Sequence, residues 1–553
     1  MERARIVIYS VLPRLWGNTE GGRTPNGTLE ENGSGKFSSW TEEALSYVKS
    51  LGCTHLWLIG VIEHATATAY KGIEADPSEI VKGVAGSPYA IKDYYDVSPE
   101  LADVVEERMD EFHRLIERVH KAGLKLIIDF VPNHVARTYA SDAAPKGVQD
   151  LGQADNKQEA FSAQNNFYYF PNESLHLTTE VKSYEEYPAR ATGNDCFSAY
   201  PSRNDWYETV KLNYGVDYLG GHTSFEPIPN TWHRMYEILC FWASKGVDGF
   251  RCDMAELVPE SFWRWCITSL REEGYDLLFL AEVYQPYRYE AYLEAGFDYL
   301  YDKVGVYDRL IQIGQGKVSA TPEFTWVRDA VGASQGKMCY FMENHDEQRL
   351  ASPFALGDAM KGAVLSAVEA LSGTNPFLLY FAQELGEEGM AEEGFSGCDG
   401  RTSIFDYWSL EKLQRLEEGG YSTKCLTPHE QTLLSLYRTI GELCHLPVIQ
   451  HGGYFGLSPE AEGRADQVLS YVRYWGKELF LLVANLADDV REVALPFPES
   501  FFSTSGLSVG EDVYKAVDKL TGQELVVSLT PWAPLLLDVP SGGLRLLHLV
   551  PLD

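Results

Sequence analysis

A chain of 553 residues, 45% hydrophobic and 13% aromatic, is long enough for a large core and two or three domains. Its 80 acidic residues against 46 basic ones leave a formal net charge of -34, a surface that repels phosphate backbones and anionic lipid. Nucleic-acid and membrane roles are set aside on that ground, and a neutral or cationic ligand is favoured.

Nine cysteines are dispersed from Cys53 to Cys444 without a CxxC pair, the usage of free thiols in a reducing compartment. The opening run MERARIVIYSVLPRLW is too short and too charged at its flanks for a signal peptide. No stretch reaches the ~18 apolar residues of a membrane span. The expected location is cytoplasmic.

In chain order, RIVIYSVL is the first strand candidate. Ser39 and Glu42 have the spacing of a capping box, before a helix stripe of Ala44, Leu45, Val48 and Leu51 that stops at Gly52. CTHLWLIGV follows as a short β-rich run. The same grammar recurs as FHRLIERVHKAG then LKLIIDFV, as MYEILCFWASKG then VDGFRCD, and as LREEG then YDLLFLAEV. In each copy a glycine supplies the left-handed residue that ends a helix before a buried parallel strand. FDYLYDKV, MCYFMENHD and FLLYFAQELG complete eight strand candidates. Alternating helices and apolar strands give an α/β fold, and eight strands close a (β/α)8 TIM barrel. An open doubly wound sheet is the competing topology.

Two regions break the rhythm. The stretch after FVPNHV, rich in Asn, Tyr, Ser, Gly and Asp, is too long for a loop and reads as a domain inserted after strand 3. Beyond about residue 450, RADQVLSYVRYWGKELFLLVANL alternates like a hairpin with a Gly-Lys turn, the start of a C-terminal antiparallel β-sandwich. The expected division is a barrel from 1–134 and 230–449, an insertion from 135–229, and a β-domain from 450–553.

On these strands Asp129 ends the third, Arg251 and Asp253 lie on the fourth, Glu282 on the fifth, and His345 with Asp346 at the end of the seventh. Asp253 and Glu282 are about one βα unit apart, given ~30 residues per βαβ repeat, and Glu282 and Asp346 about two. All four carboxylates therefore emerge at the C-terminal mouth, where active sites of this architecture gather. Alone, an Arg-x-Asp is more often a structural ion pair and ENHDEQR a solvated loop; four such features at one mouth are not. Two carboxylates so placed suit retaining glycoside hydrolysis, one attacking the anomeric carbon and the other protonating the leaving oxygen. Arg251 should keep Asp253 ionised, and Glu282 should hold its proton in a less compensated place.

DFVPNH (129–134), GFRCD (249–253), AE (281–282) and ENHD (343–346) resemble, in order and spacing, the four signature regions of the α-amylase family, glycoside hydrolase family 13. The resemblance covers the barrel, with the insertion and tail in the family's places. It implies Asp253 as nucleophile, Glu282 as general acid/base and Asp346 as the carboxylate that stabilises the transition state. It implies further that Arg251 positions the nucleophile, that His134 and His345 hydrogen-bond the central sugar, that Tyr89 stacks on it, and that Asp129 is structural. Asn133 matches a calcium ligand of many members, and KLN (211–213) resembles a fifth region that varies with specificity. MAELV after the nucleophile departs from the form common in secreted calcium-dependent members, so calcium stays open; no organic cofactor is implied. The expected reaction is hydrolysis of α-1,4-linked glucans or maltooligosaccharides, with 4-α-glucanotransfer by the same residues as the alternative. A non-catalytic binding subunit would typically have lost one of the three carboxylates. A metal-dependent enzyme would need a tighter ligand set than His134 and His345 on different strands.

Overall fold

The computed structural model describes every residue except 1–4, 179–182, 390–394, 396, 491, 511 and 553. Eight parallel strands close a barrel: β1 (Val7–Val11), β2 (His55–Leu58), β3 (Lys125–Phe130), β4 (Gly249–Cys252), β5 (Leu278–Ala281), β6 (Tyr299–Tyr301), β7 (Met338–Phe341) and β8 (Phe377–Tyr380). Each pairs with its sequence neighbours, and β8 returns to β1 with Val7 opposite Phe377. All eight strand candidates of the sequence are present, and the open sheet is not. Their apolar runs are buried on both faces, as strands sandwiched between a barrel interior and a helix ring must be.

The helices follow from their stripes. In Arg108–Lys121, Phe112, Leu115, Ile116 and Val119 form the buried face, acidic residues sit in the first turn and basic ones in the last. Gly246, at φ +99°, turns the helix Asn230–Ser244 into β4. The predicted cap at Ser39 is displaced. Ser39 lies in a 3-10 turn, and the hydroxyl of Thr41 accepts from the amide of Ala44 to start the helix Glu42–Ser50.

Between β3 and Asn230 the described residues form short two-stranded ladders: 134–136 with 209–211, 169–170 with 189–190, and 216–217 with 222–223. The first runs directly off the end of β3 and sets His134 opposite Lys211. After the barrel, an antiparallel six-stranded sheet faces a two-stranded one, with a second core between them that includes Val472, Leu481, Val493 and Leu537. Its hairpin, Val468–Trp475 and Glu478–Asn485, turns at Gly476 and Lys477 as the sequence suggested. The other side of that hairpin joins the barrel core through Tyr471, Phe480 and Leu482. There the buried guanidinium of Arg473 donates to the carbonyls of Ser372, Ile449 and Gly452 at 2.6, 2.9 and 2.5 Å.

Candidate active site

The barrel register assembles the site. Arg251 on β4 lies opposite Asp129 on β3 and Leu280 on β5. The ladder continues one step past the strand ends, the amide of Asp253 donating to Phe130 and that of Glu282 to Cys252. Both carboxylates therefore stand at the C-terminal mouth on adjacent strands. Period-two alternation puts Arg251 and Asp253 on one face, and Arg251 Nη1 donates to Asp253 Oδ1 at 2.8 Å.

One guanidinium serves three carboxylates. Besides Asp253, Nη1 donates to Asp129 Oδ1 at 3.2 Å, and Nη2 lies 2.8 Å from Glu282 Oε2. Arg251 is fully buried, and the rings of Trp57, Tyr89 and Tyr301 surround it at 5.5, 5.4 and 5.6 Å. Such faces favour a desolvated cation. Glu282, expected in a less compensated place than Asp253, has the same counter-ion.

Burial pushes Asp253 well above the usual carboxylate range; Arg251 opposes this, while Glu282, Asp129 and Asp346 add to it. Asp129 is also raised by burial against the pull of Arg251. Arg251 was expected to hold Asp253 ionised; in the structure, burial and the neighbouring carboxylates outweigh its pull.

Of the remaining predicted residues, Tyr89, His134 and Asp346 line, with Asp253 and Glu282, a cavity of about 620 Å³. The Tyr89 hydroxyl lies 2.6 Å from His345 Nε2, and the two rings stack at 5.2 Å. His345 Nε2 is 3.1 Å from Asp346 Oδ2. Burial would raise Asp346, yet His345 and Arg251 hold its carboxyl below the ordinary range. His134 borders the cavity against Trp206, at 5.2 Å between ring centroids, and burial and the nearby Lys211 charge push it down to about 3.

Several site residues were not anticipated. Trp57 Nε1 donates to Asp129 Oδ2 at 3.1 Å, and the Tyr284 hydroxyl donates to Glu282 Oε1 at 2.7 Å. Met254, at φ +45°, takes a left-handed conformation costly for a side chain with a Cβ, and its amide donates to Glu282 Oε2 at 2.7 Å. Lys82, ion-paired with Glu208 at 2.8 Å, also borders the cavity. Tyr284 was within reach of the sequence argument, since it sits two residues beyond Glu282; Trp206, Glu208 and Lys82 lie on irregular segments with no period to read.

Asn133, the residue matched to a calcium ligand, sits beside His134, with Nδ2 donating to the Gly193 carbonyl at 2.8 Å. Its Oδ1 is taken by an ammonium: Lys211 Nζ donates to it at 2.5 Å and lies 2.6 Å from Asp195 Oδ1. Among the described residues no group of three or more His, Cys, Asp and Glu could hold a metal ion. These residues do not fit a calcium ion at Asn133.

Residues 11–265 match the family described as alpha amylase, catalytic domain. That stretch is just under half of the chain, and with relatives named alpha-amylase it supports the alpha-amylase family. The chain's enzyme class is that of a glycoside hydrolase. It is 23% identical over 502 residues to alpha-amylase 3 of Dictyoglomus thermophilum, covering 87% of this chain and 84% of that protein. It is 25% identical over 470 residues to alpha-amylase MalA of Haloarcula japonica, which takes in 84% of this chain but only 55% of that longer protein. The structure of an alpha-amylase from Geobacillus thermoleovorans, complexed with acarbose, superposes with a TM-score of 0.66 at 16% identity over 99% of both chains. At that identity the likeness bears on the fold.

Proposed function

We propose that the chain is a retaining α-glycosidase that hydrolyses α-1,4-glucosidic bonds of maltooligosaccharides or soluble α-glucans. The observation that carries this reading is the single buried guanidinium shared by Asp253 and Glu282 on adjacent strands. Asp253, with Oδ1 fixed by Arg251, attacks the anomeric carbon as Glu282 gives its proton to the departing glycosidic oxygen. The resulting glycosyl ester is then cleaved by water, which Glu282, now ionised, deprotonates. Asp346 and His345 bind sugar hydroxyls as the ring flattens, His134 donates or accepts as a neutral imidazole, and Tyr89 packs against the sugar at the cavity wall. The names of the relatives, alpha-amylases among them, support an α-glucan substrate. Nine free cysteines support a reducing compartment, hence stored or imported oligosaccharides. No described helix is long and apolar enough to cross a membrane.

Incubation with maltoheptaose, with products sized and their anomers followed by NMR, tests the reading. Shorter products released first as the α-anomer are expected. Initial β-anomer rules out retention, and products longer than the substrate establish glucanotransfer in place of hydrolysis. Full activity in Glu282→Gln would remove the acid/base assignment.

A further inference from the structure

The ammonium at Asn133 stands at a junction of three segments. Lys211 is 1% exposed and lies opposite His134 in the ladder that leads from β3 into the insertion. Besides Asn133 Oδ1 and Asp195 Oδ1, its Nζ faces the carbonyl of Leu257 at 3.4 Å and the ring of Tyr218 at 5.4 Å. Asn133 lies in the link between β3 and the first ladder of the insertion, Asp195 and Tyr218 belong to the insertion, and Leu257 closes the turn that follows β4. Asn133 Nδ2 in turn lies 3.1 Å from His134 Nδ1.

We propose that Lys211 is a built-in cation that takes the place of a divalent metal between barrel and insertion, so that this chain holds the two together without calcium. The donor set decides it. An ammonium has three hydrogens to give, and the site offers three oxygen acceptors. Calcium takes 6–8 oxygen ligands, and one seated here would meet a buried positive charge at contact distance. Burial lowers the Lys211 ammonium below its ordinary value, and Asp195 opposes this. A buried charge with a paired carboxylate and further acceptors is the arrangement that tolerates desolvation. The proposal does not depend on which reaction the carboxylates perform.

Scanning calorimetry of the full chain, after dialysis against EGTA and again with added calcium chloride, tests it, with calorimetric titration of calcium alone as a second readout. The same Tm in both conditions and no saturable calcium heat are expected. A Tm that rises by several degrees with calcium, or stoichiometric calcium uptake, overturns the proposal, because a ligand bound only by the native state must stabilise it. Lys211→Met should lower Tm by several degrees with or without calcium, since Asn133 and Asp195 lose their buried partner. An unchanged Tm in that variant also overturns it. Should Lys211→Met fail to fold, the wild-type comparison decides alone.

Discussion

The hydroxyl of Tyr284 donates to Oε1 of Glu282, whose other oxygen is held by Arg251 and the amide of Met254. Both oxygens of the proposed acid/base are thus committed before any sugar arrives. Tyr284→Phe removes one of these fixed contacts and should lower kcat by about tenfold at nearly unchanged KM and Tm, since a misplaced proton donor slows the chemical step. Full kcat in that variant would show that the hydroxyl does not aim Glu282.

Among the described residues, Arg251 is the counter-ion that Asp129, Asp253 and Glu282 share. Arg251→Met leaves buried charge uncompensated, and a loss of about 3–5 kcal/mol is expected for a buried pair broken on one side. Denaturant unfolding measures it. Arg251→Lys should restore part of the stability but little activity, because an ammonium on a flexible stem lacks the rigid planar fork that reaches carboxylates on three neighbouring strands at once. Recovery of full kcat in that variant would contradict the forked arrangement.

His134, pushed down to about 3 by burial and the Lys211 charge, is neutral throughout the working range. His134→Gln should lower kcat/KM by about tenfold or more without changing the shape of its profile between about pH 5 and 8. Loss of an inflection in that interval would mean that His134 titrates there after all.

Glu63 lies opposite Asp93 in a two-stranded ladder, and burial, with Asp93 and Asp96 adding to it, pushes its carboxyl up to about 8. The folded state therefore keeps a proton that the unfolded chain gives up above its ordinary value of 4.5. The stability linked to this group is present below that value and is lost as pH rises through about 8, on the order of a few kcal/mol. Glu63→Gln should remove the decline, so urea unfolding at several pH values should show a flatter curve. An unchanged slope would place the pH dependence elsewhere.

The barrel was legible because its strands are short apolar runs, four of them following a helix segment that ends in glycine. The first cap was misplaced by two residues because Ser39 and Glu42 have the right spacing, while Phe37–Ser39 is already turned into its own 3-10 helix. The carboxylates and Arg251 were readable for a similar reason: a strand's alternation and a repeating βα length fix which side chains reach the mouth. The balance of charge among them was not. Whether Arg251 serves one carboxylate or three depends on the side-chain rotamers of neighbouring strands. Lys211, Asp195 and Asn133 are far apart in the chain and meet only once the insertion folds back, so calcium could not be decided from the motif alone.

The guanidinium of Arg473 ends on main-chain carbonyls of the barrel side, one of them Ser372, just past the helix Ala359–Leu371. A cation there offsets the negative end of the helix dipole. The C-terminal sheet therefore finishes a barrel helix in addition to covering it. Its role is that of a keystone: heating should melt barrel and tail in one cooperative transition, and a chain cut near residue 449 should lose the barrel along with the tail.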